Sequence, residues 1–234
     1  MQIITHKTDA MRKVQLLVSR GYSRYVSGEI DRRKAKALYL KFLDRYEVER
    51  SHQQRYRMKL AGVANSHLVM WLNPESKKVH WWLLATAGEG LVTDVENLKD
   101  ATAKKSRIEL TGYELLKAPR KDLPAAWTWQ MTSENYKAWQ ERIRAAVRHK
   151  SDDLIHQALY SLKRVPRFSQ SRKQAFALVS LMKKEWKRTQ KGELPYPGIF
   201  IGFYGKYKRA ETIPAELLTK KKQKAQTGRG RTPA

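Results

Sequence analysis

The sequence predicts an α+β fold: a small, mostly antiparallel, tryptophan-rich sheet with an N-terminal helix and a C-terminal three-helix section. Three observations carry this expectation. Two runs of strand-forming residues flank a turn-rich linker near the middle of the chain. The spacing of apolar residues changes after Thr132 from two towards about 3.6. Five of the seven tryptophans (Trp71, Trp81, Trp82, Trp127 and Trp129) fall between residues 66 and 132.

Taken in order, the short apolar run Val14–Val18, the turn signal Arg20-Gly21 and the run Tyr22–Val26 predict a hairpin. Asp31 is placed to cap a helix in which Ala35, Leu38, Tyr39, Phe42, Leu43 and Tyr46 recur at three-and-four spacing, with most of its cations on the opposite side. Residues 45–59 lose apolar periodicity and read as a binding loop or a polar helix. Ser66–Leu72 and Val79–Thr86, joined by Asn73-Pro74-Glu75-Ser76-Lys77-Lys78, predict a second hairpin that sets His80 across from Trp71 or Leu72. Both strands are apolar without clean alternation, the pattern of a sheet covered on two faces. Pro119 and Pro124 bracket a predicted loop. Trp127, Trp129 and Met131 then alternate on one face of a strand.

Beyond Thr132 three helices are expected. The first carries Tyr136, Trp139, Ile143 and Val147 on one stripe; the second starts at Ser151-Asp152-Asp153, with acidic residues at its positive end; the third runs from about Ser171 to Arg188. The predicted organisation is a core over 1–132, a helical section over 133–191, a Pro/Gly/Tyr-rich extension over 192–218 and a disordered basic tail over 219–234.

Charge points to the partner. Lys and Arg number 48 against 22 Asp and Glu, a net charge of +26, divided as +9 over 1–65, +1 over 66–132 and +16 over 133–234. The excess sits on the flanks of a neutral, tryptophan-rich centre, and such an excess favours a polyanion, because neutralising phosphates releases counterions. The expected nucleic-acid contacts are Arg20, Arg24, Arg55 and Arg57, then Lys183, Lys184, Lys187 and Arg188 on the third helix, whose six cations are accompanied by only Glu185. The aromatic and basic segment with Tyr204, Lys206, Tyr207, Lys208 and Arg209 adds base stacking beside phosphate contacts. Each of those tyrosines also reads as a half-buried packing residue.

Catalytic templates mostly fail. There is no phosphate-binding glycine loop, no dinucleotide fingerprint, no H-E-x-x-H and no cysteine, so no cofactor and no metal are expected. The competing reading is an RNA or DNA endonuclease that uses His52 as a base or Glu89, Asp94 and Glu96 as metal ligands. A third reading is an interaction protein whose positive faces meet an acidic partner. No apolar run approaches the roughly 18 residues of a spanning helix, and the first residues lack a signal-peptide core, so a cytoplasmic protein is expected.

The strings GYSRYVSGEI (21–30), KFLDRY (41–46), WWLLATAGEG (81–90), TGYELLK (111–117) and WTWQMTSENYKAWQERIR (127–144) resemble a group of poorly characterised accessory proteins of conjugative plasmids and integrative elements of proteobacteria. The resemblance covers roughly Tyr22 to Trp186. It implies a mobile-element setting, with a role in plasmid maintenance, transfer or interference with a competing element. It brings no catalytic residues.

Overall fold

Ala10, Met11, Val14, Leu17 and Val18 recur at helical spacing, and the segment Lys7–Ser19 that carries them is a helix, α1, with all five buried. The structure, a computed structural model, describes residues 2–190, 192, 194, 200, 202 and 210–214. The predicted hairpin over 14–26 is therefore corrected. Val14–Val18 looks continuous because a buried helical face falls next to the half-buried Gln15 and Leu16, whereas Tyr22–Val26 leads into a strand that pairs elsewhere.

The elements in chain order are β1 (Gln2–Ile4), α1, β2 (Arg24–Asp31), α2 (Ala35–Tyr46), α3 (His52–Leu60), β3 (Ser66–Leu72), β4 (Lys78–Ala85), α4 (Leu91–Val95) and β5 (Lys99–Asp100). There follow β6 (Glu109–Leu110), β7 (Tyr113–Arg120), β8 (Leu123–Met131), α5 (Ser133–Arg148), α6 (Asp152–Lys163), α7 (Ser169–Thr189) and β9 (Thr212–Pro214). The fold is α+β. One sheet has the order β5-β2-β4-β3-β1-β9, antiparallel except for the β1–β3 pair, and a second, antiparallel sheet has the order β6-β7-β8.

The β3–β4 hairpin forms with Trp71 opposite His80, the register expected from its linker. Asn73 accepts from the Glu75 amide through its side chain, which tightens that turn. Residues 119 and 124 do not bracket a loop. They lie within β7 and β8, joined at Lys121-Asp122 with Asp122 at φ 54°. Pro119 is tolerated because it sits where the β7–β8 register shifts and beyond the reach of the two-residue β6, so no ladder hydrogen bond is needed from it; Pro124 is on an edge strand.

α1 lies between the two sheets. Its buried face shares one core with Val69, Trp71, Trp82 and Leu84 of the larger sheet and with Leu115, Trp129 and Met131 of the smaller one. Trp129 is fully buried, and its indole N–H donates to the Met11 carbonyl at 3.0 Å, while the Gln15 amide donates to the Trp127 carbonyl at 2.9 Å. These are two polar ties from β8 to α1. α5 and α7 pack against β8 and α6 against α5, continuing the same core through Ile143, Val147, Leu159 and Leu178. On the other face of the larger sheet, α2 lays Phe42 and Tyr46 beside Leu83 and Ala85, with Phe42 edge-on to Trp81 at 5.4 Å.

α2 begins as the sequence indicates. The Asp31 carboxylate accepts from the Arg33 amide and caps a short 3-10 turn that runs into the helix. The 45–59 stretch resolves in favour of a polar helix, α3, opened by a capping box in which Ser51 and Gln54 satisfy each other's amides. α3 buries none of its residues fully, so its position is set by polar ties. Buried Asn65 donates to the Arg55 carbonyl at 3.0 Å, and the 62–64 segment bonds to Glu89 through both backbone groups of that residue.

Candidate nucleic-acid interface

β1 meets β3 where Ile4 faces Trp71 and, being parallel, begins about level with Val69. Among the described residues no strand continues that lane beside His67 and Leu68. The gap is a cleft of about 590 Å³ bounded by Lys13 of α1, Tyr39 of α2, the 48–52 connection and Arg55 of α3. The pleat divides its floor. His67 and Val69 face α1, and Leu68 and Met70 face α2.

The α1 side is cationic. Lys13 is held below its ordinary pKa by burial and then by Arg20 and Arg55. His67, tilted against the Tyr22 ring at 5.1 Å, is pushed down to about 3 by burial first and then by Arg55, Lys13 and Arg20, so it is neutral at physiological pH. Burial raises the Tyr22 hydroxyl, opposed by Arg55, Arg20 and Arg50. Arg50 has a carboxylate: its Nε donates to Glu47 at 2.6 Å, and its guanidinium also reaches the Ala64 carbonyl at 3.2 Å. Among the described residues Lys13, Arg20 and Arg55 form no ion pair. Arg55 donates one terminal N–H to the Val48 carbonyl at 3.3 Å, and its Nε–H is buried without a partner among the described residues. The α2 side differs. Glu49 lies near the Tyr39 hydroxyl, which burial and that carboxylate push up to about 12.

A second cleft of about 590 Å³ lies between α1 and the start of α7, where Arg12, Arg20 and Arg167 surround Trp127 and Phe168. Arg20 lines this cleft and also acts on Lys13 and His67 in the first, so the two belong to one positive field around the end of α1.

Of the residues singled out from sequence, Arg20 and Arg55 enter this field. Arg24 and Arg57 are exposed on β2 and α3 and line neither cleft. Lys183, Lys184 and Lys187 are exposed on α7; Arg188 is exposed but donates to Glu185 at 2.6 Å, and Arg144 approaches the same carboxylate at 3.6 Å. Tyr204, Lys206, Tyr207, Lys208 and Arg209 lie outside the described residues; Ala210, the next residue in the chain, lines the first cleft. His52 is exposed at the start of α3 and lines the same cleft.

Glu89, Asp94 and Glu96 are held by separate partners. Glu96 accepts from Tyr46 at 2.5 Å, Asp94 contacts Thr93, and Glu89 is held through its backbone. Among the described residues no group of three or more His, Asp or Glu side chains is arranged to hold a metal ion, and no helix is long and apolar enough to cross a membrane. Lys13, His67, Arg12 and Arg167 were not marked by sequence reasoning. Reading 7–20 with helical period would have placed Lys13 and Arg20, seven apart, on one face.

No protein family, curated protein or solved structure matches the chain.

Proposed function

We propose that the chain binds nucleic acid, mainly through phosphate contacts, in the cytoplasm and in the service of a mobile genetic element. The observation that carries this reading is the set Lys13, Arg20 and Arg55, gathered near His67 across the two clefts and in no ion pair among the described residues, in a chain of net charge +26. Like charges held together repel unless an anion lies over them, and a phosphodiester chain supplies anions at regular spacing. The exposed lysines of α7 extend the same argument. From Lys173 to Lys187 the helix rises about 1.5 Å per residue, enough for several phosphates along its length.

The test is the salt dependence of binding, read by fluorescence anisotropy with labelled single-stranded and duplex oligonucleotides. Affinity should fall steeply and linearly on a logarithmic salt axis. Replacing Lys183, Lys184 and Lys187 together by Gln should lower the slope by about 2 to 3, since each neutralised phosphate contributes roughly 0.7 to 0.9. Absence of binding at low salt would sink the proposal, and co-purification with an acidic protein after nuclease treatment would replace it.

A further inference from the structure

The first cleft differs from the rest of the positive surface in having two chemically unlike walls. On the α1 side stand Lys13 and Arg55, neither in an ion pair among the described residues. On the α2 side stand Tyr39, Leu68 and Met70, with the Glu49 carboxylate beside Tyr39. A bare phosphate field needs no apolar wall, and an apolar pocket needs no unpaired cations. A nucleotide needs both. We propose that this cleft takes one unpaired nucleotide of a single strand, with its phosphate on Lys13 and Arg55 and its base against Tyr39, Leu68 and Met70.

The orientation follows from charge. Glu49 repels a phosphate from the α2 side and offers an acceptor to a base amino group or sugar hydroxyl, while Lys13 and the Arg55 guanidinium attract it from the α1 side. His67 faces the phosphate side uncharged, so its ring can donate or accept a hydrogen bond instead of adding one more cation. The volume, about 590 Å³, lies within the range of small-ligand pockets. Paired bases are excluded, because a duplex would have to flip a nucleotide out of its stack to fill the cleft. Single strands are therefore preferred over duplexes, and the preference resides in this cleft and not in α7.

This inference rests on the nucleic-acid reading, and the experiment separates the two. Anisotropy is measured with labelled dT12, U12 and a blunt duplex of the same length, on the wild-type protein, on Lys13→Gln and Arg55→Gln, and on the α7 double variant Lys183→Gln/Lys184→Gln. Each cleft variant is expected to lose about tenfold or more on a single strand and less than about threefold on the duplex, as for a lost hydrogen bond to a charged group. The α7 variant should weaken both probes alike. Equal losses on single strand and duplex in the cleft variants, or none, overturn the proposal while leaving nucleic-acid binding intact. No binding of any probe by the wild-type protein removes both. Photo-crosslinking of an iodouracil-substituted strand to the wild-type chain adds a readout that needs no variant. Adducts at Tyr39 or within residues 66–70 support the cleft, and adducts confined to α7 overturn it.

Discussion

His67 gives the sharpest test of how the cleft is built. Its folded pKa of about 3 lies below the ordinary 6.5, first because it is buried and then because Arg55, Lys13 and Arg20 surround it. The unfolded chain therefore binds a proton that the folded chain refuses between those two values, so stability is unaffected above about pH 7 and falls as pH drops. At about pH 4.5 the unfolded imidazole is almost wholly protonated and the folded one almost wholly neutral. The loss relative to about pH 7.5 is then about 2.5 kcal/mol, and it is set by the unfolded pKa more than by how low the folded one lies. His67→Gln removes the titrating group. Urea unfolding of both proteins at the two pH values should show the variant losing about 2.5 kcal/mol less than the wild-type protein. His80, also lowered mainly by burial, acts the same way in both proteins and cancels in the comparison. Equal acid losses in the two proteins would mean that the imidazole is not held neutral by this environment, and the electrostatic account of the cleft would fall with it.

Three further outcomes follow from the packing. Trp129→Ala should cost about 3 to 5 kcal/mol in chemical denaturation, because the indole is fully buried between α1 and β8 and donates to Met11; a loss under about 1 kcal/mol would contradict its role in the shared core. Gly88→Ala should destabilise by well over the roughly 1 kcal/mol of an ordinary glycine replacement: φ is +135°, and a Cβ would lie 2.6 Å from the Gly62 carbonyl and 2.7 Å from the Ala64 amide, both backbone. Lys13→Met should raise the urea midpoint at neutral pH while weakening oligonucleotide binding. The lowered Lys13 pKa means that the folded state holds its proton less well than the unfolded chain, a penalty present in full below the folded value and relieved as pH rises from there through the ordinary 10.5.

Most of the fold is legible in the sequence where periodicity is strong or a turn is short. The Trp71–His80 register follows from the 73–78 linker, the Trp129 and Met131 face from strict alternation, and the three late helices from long apolar stripes. α1 is not legible from Val14–Val18 alone, because five apolar or half-buried neighbours satisfy a strand as well as a helix. The wider window, with Ala10 and Met11, decides it. The pairing of β1 with β3 and β9 is beyond local reasoning, since each of β1 and β9 has three residues and their partners are distant in sequence. The site divides similarly. Arg20 and Arg55 are visible as cations near aromatic residues, but the cleft exists only because α1, α3 and the open lane of β3 converge, and Lys13 and His67 acquire their character from that convergence.

α1 connects stability with charge in this molecule. One side of the helix is buried in both sheets, and from the other side and its end Lys13 and Arg20 project into the positive field, in no ion pair among the described residues. Holding those charges together opposes folding, and burying His67 among them opposes it further in acid. A helix held only at the surface would relax outward and separate the cations. Trp71, Trp82 and Trp129, packed around α1 with the Trp129 indole bonded to its backbone, prevent this. The concentration of tryptophan in the neutral middle of the sequence and the concentration of cations on its flanks are thus two parts of one arrangement. The core is heavy where the helix that carries part of the charge must be kept from moving, so a substitution that loosens Trp129 should weaken single-strand binding before it unfolds the chain.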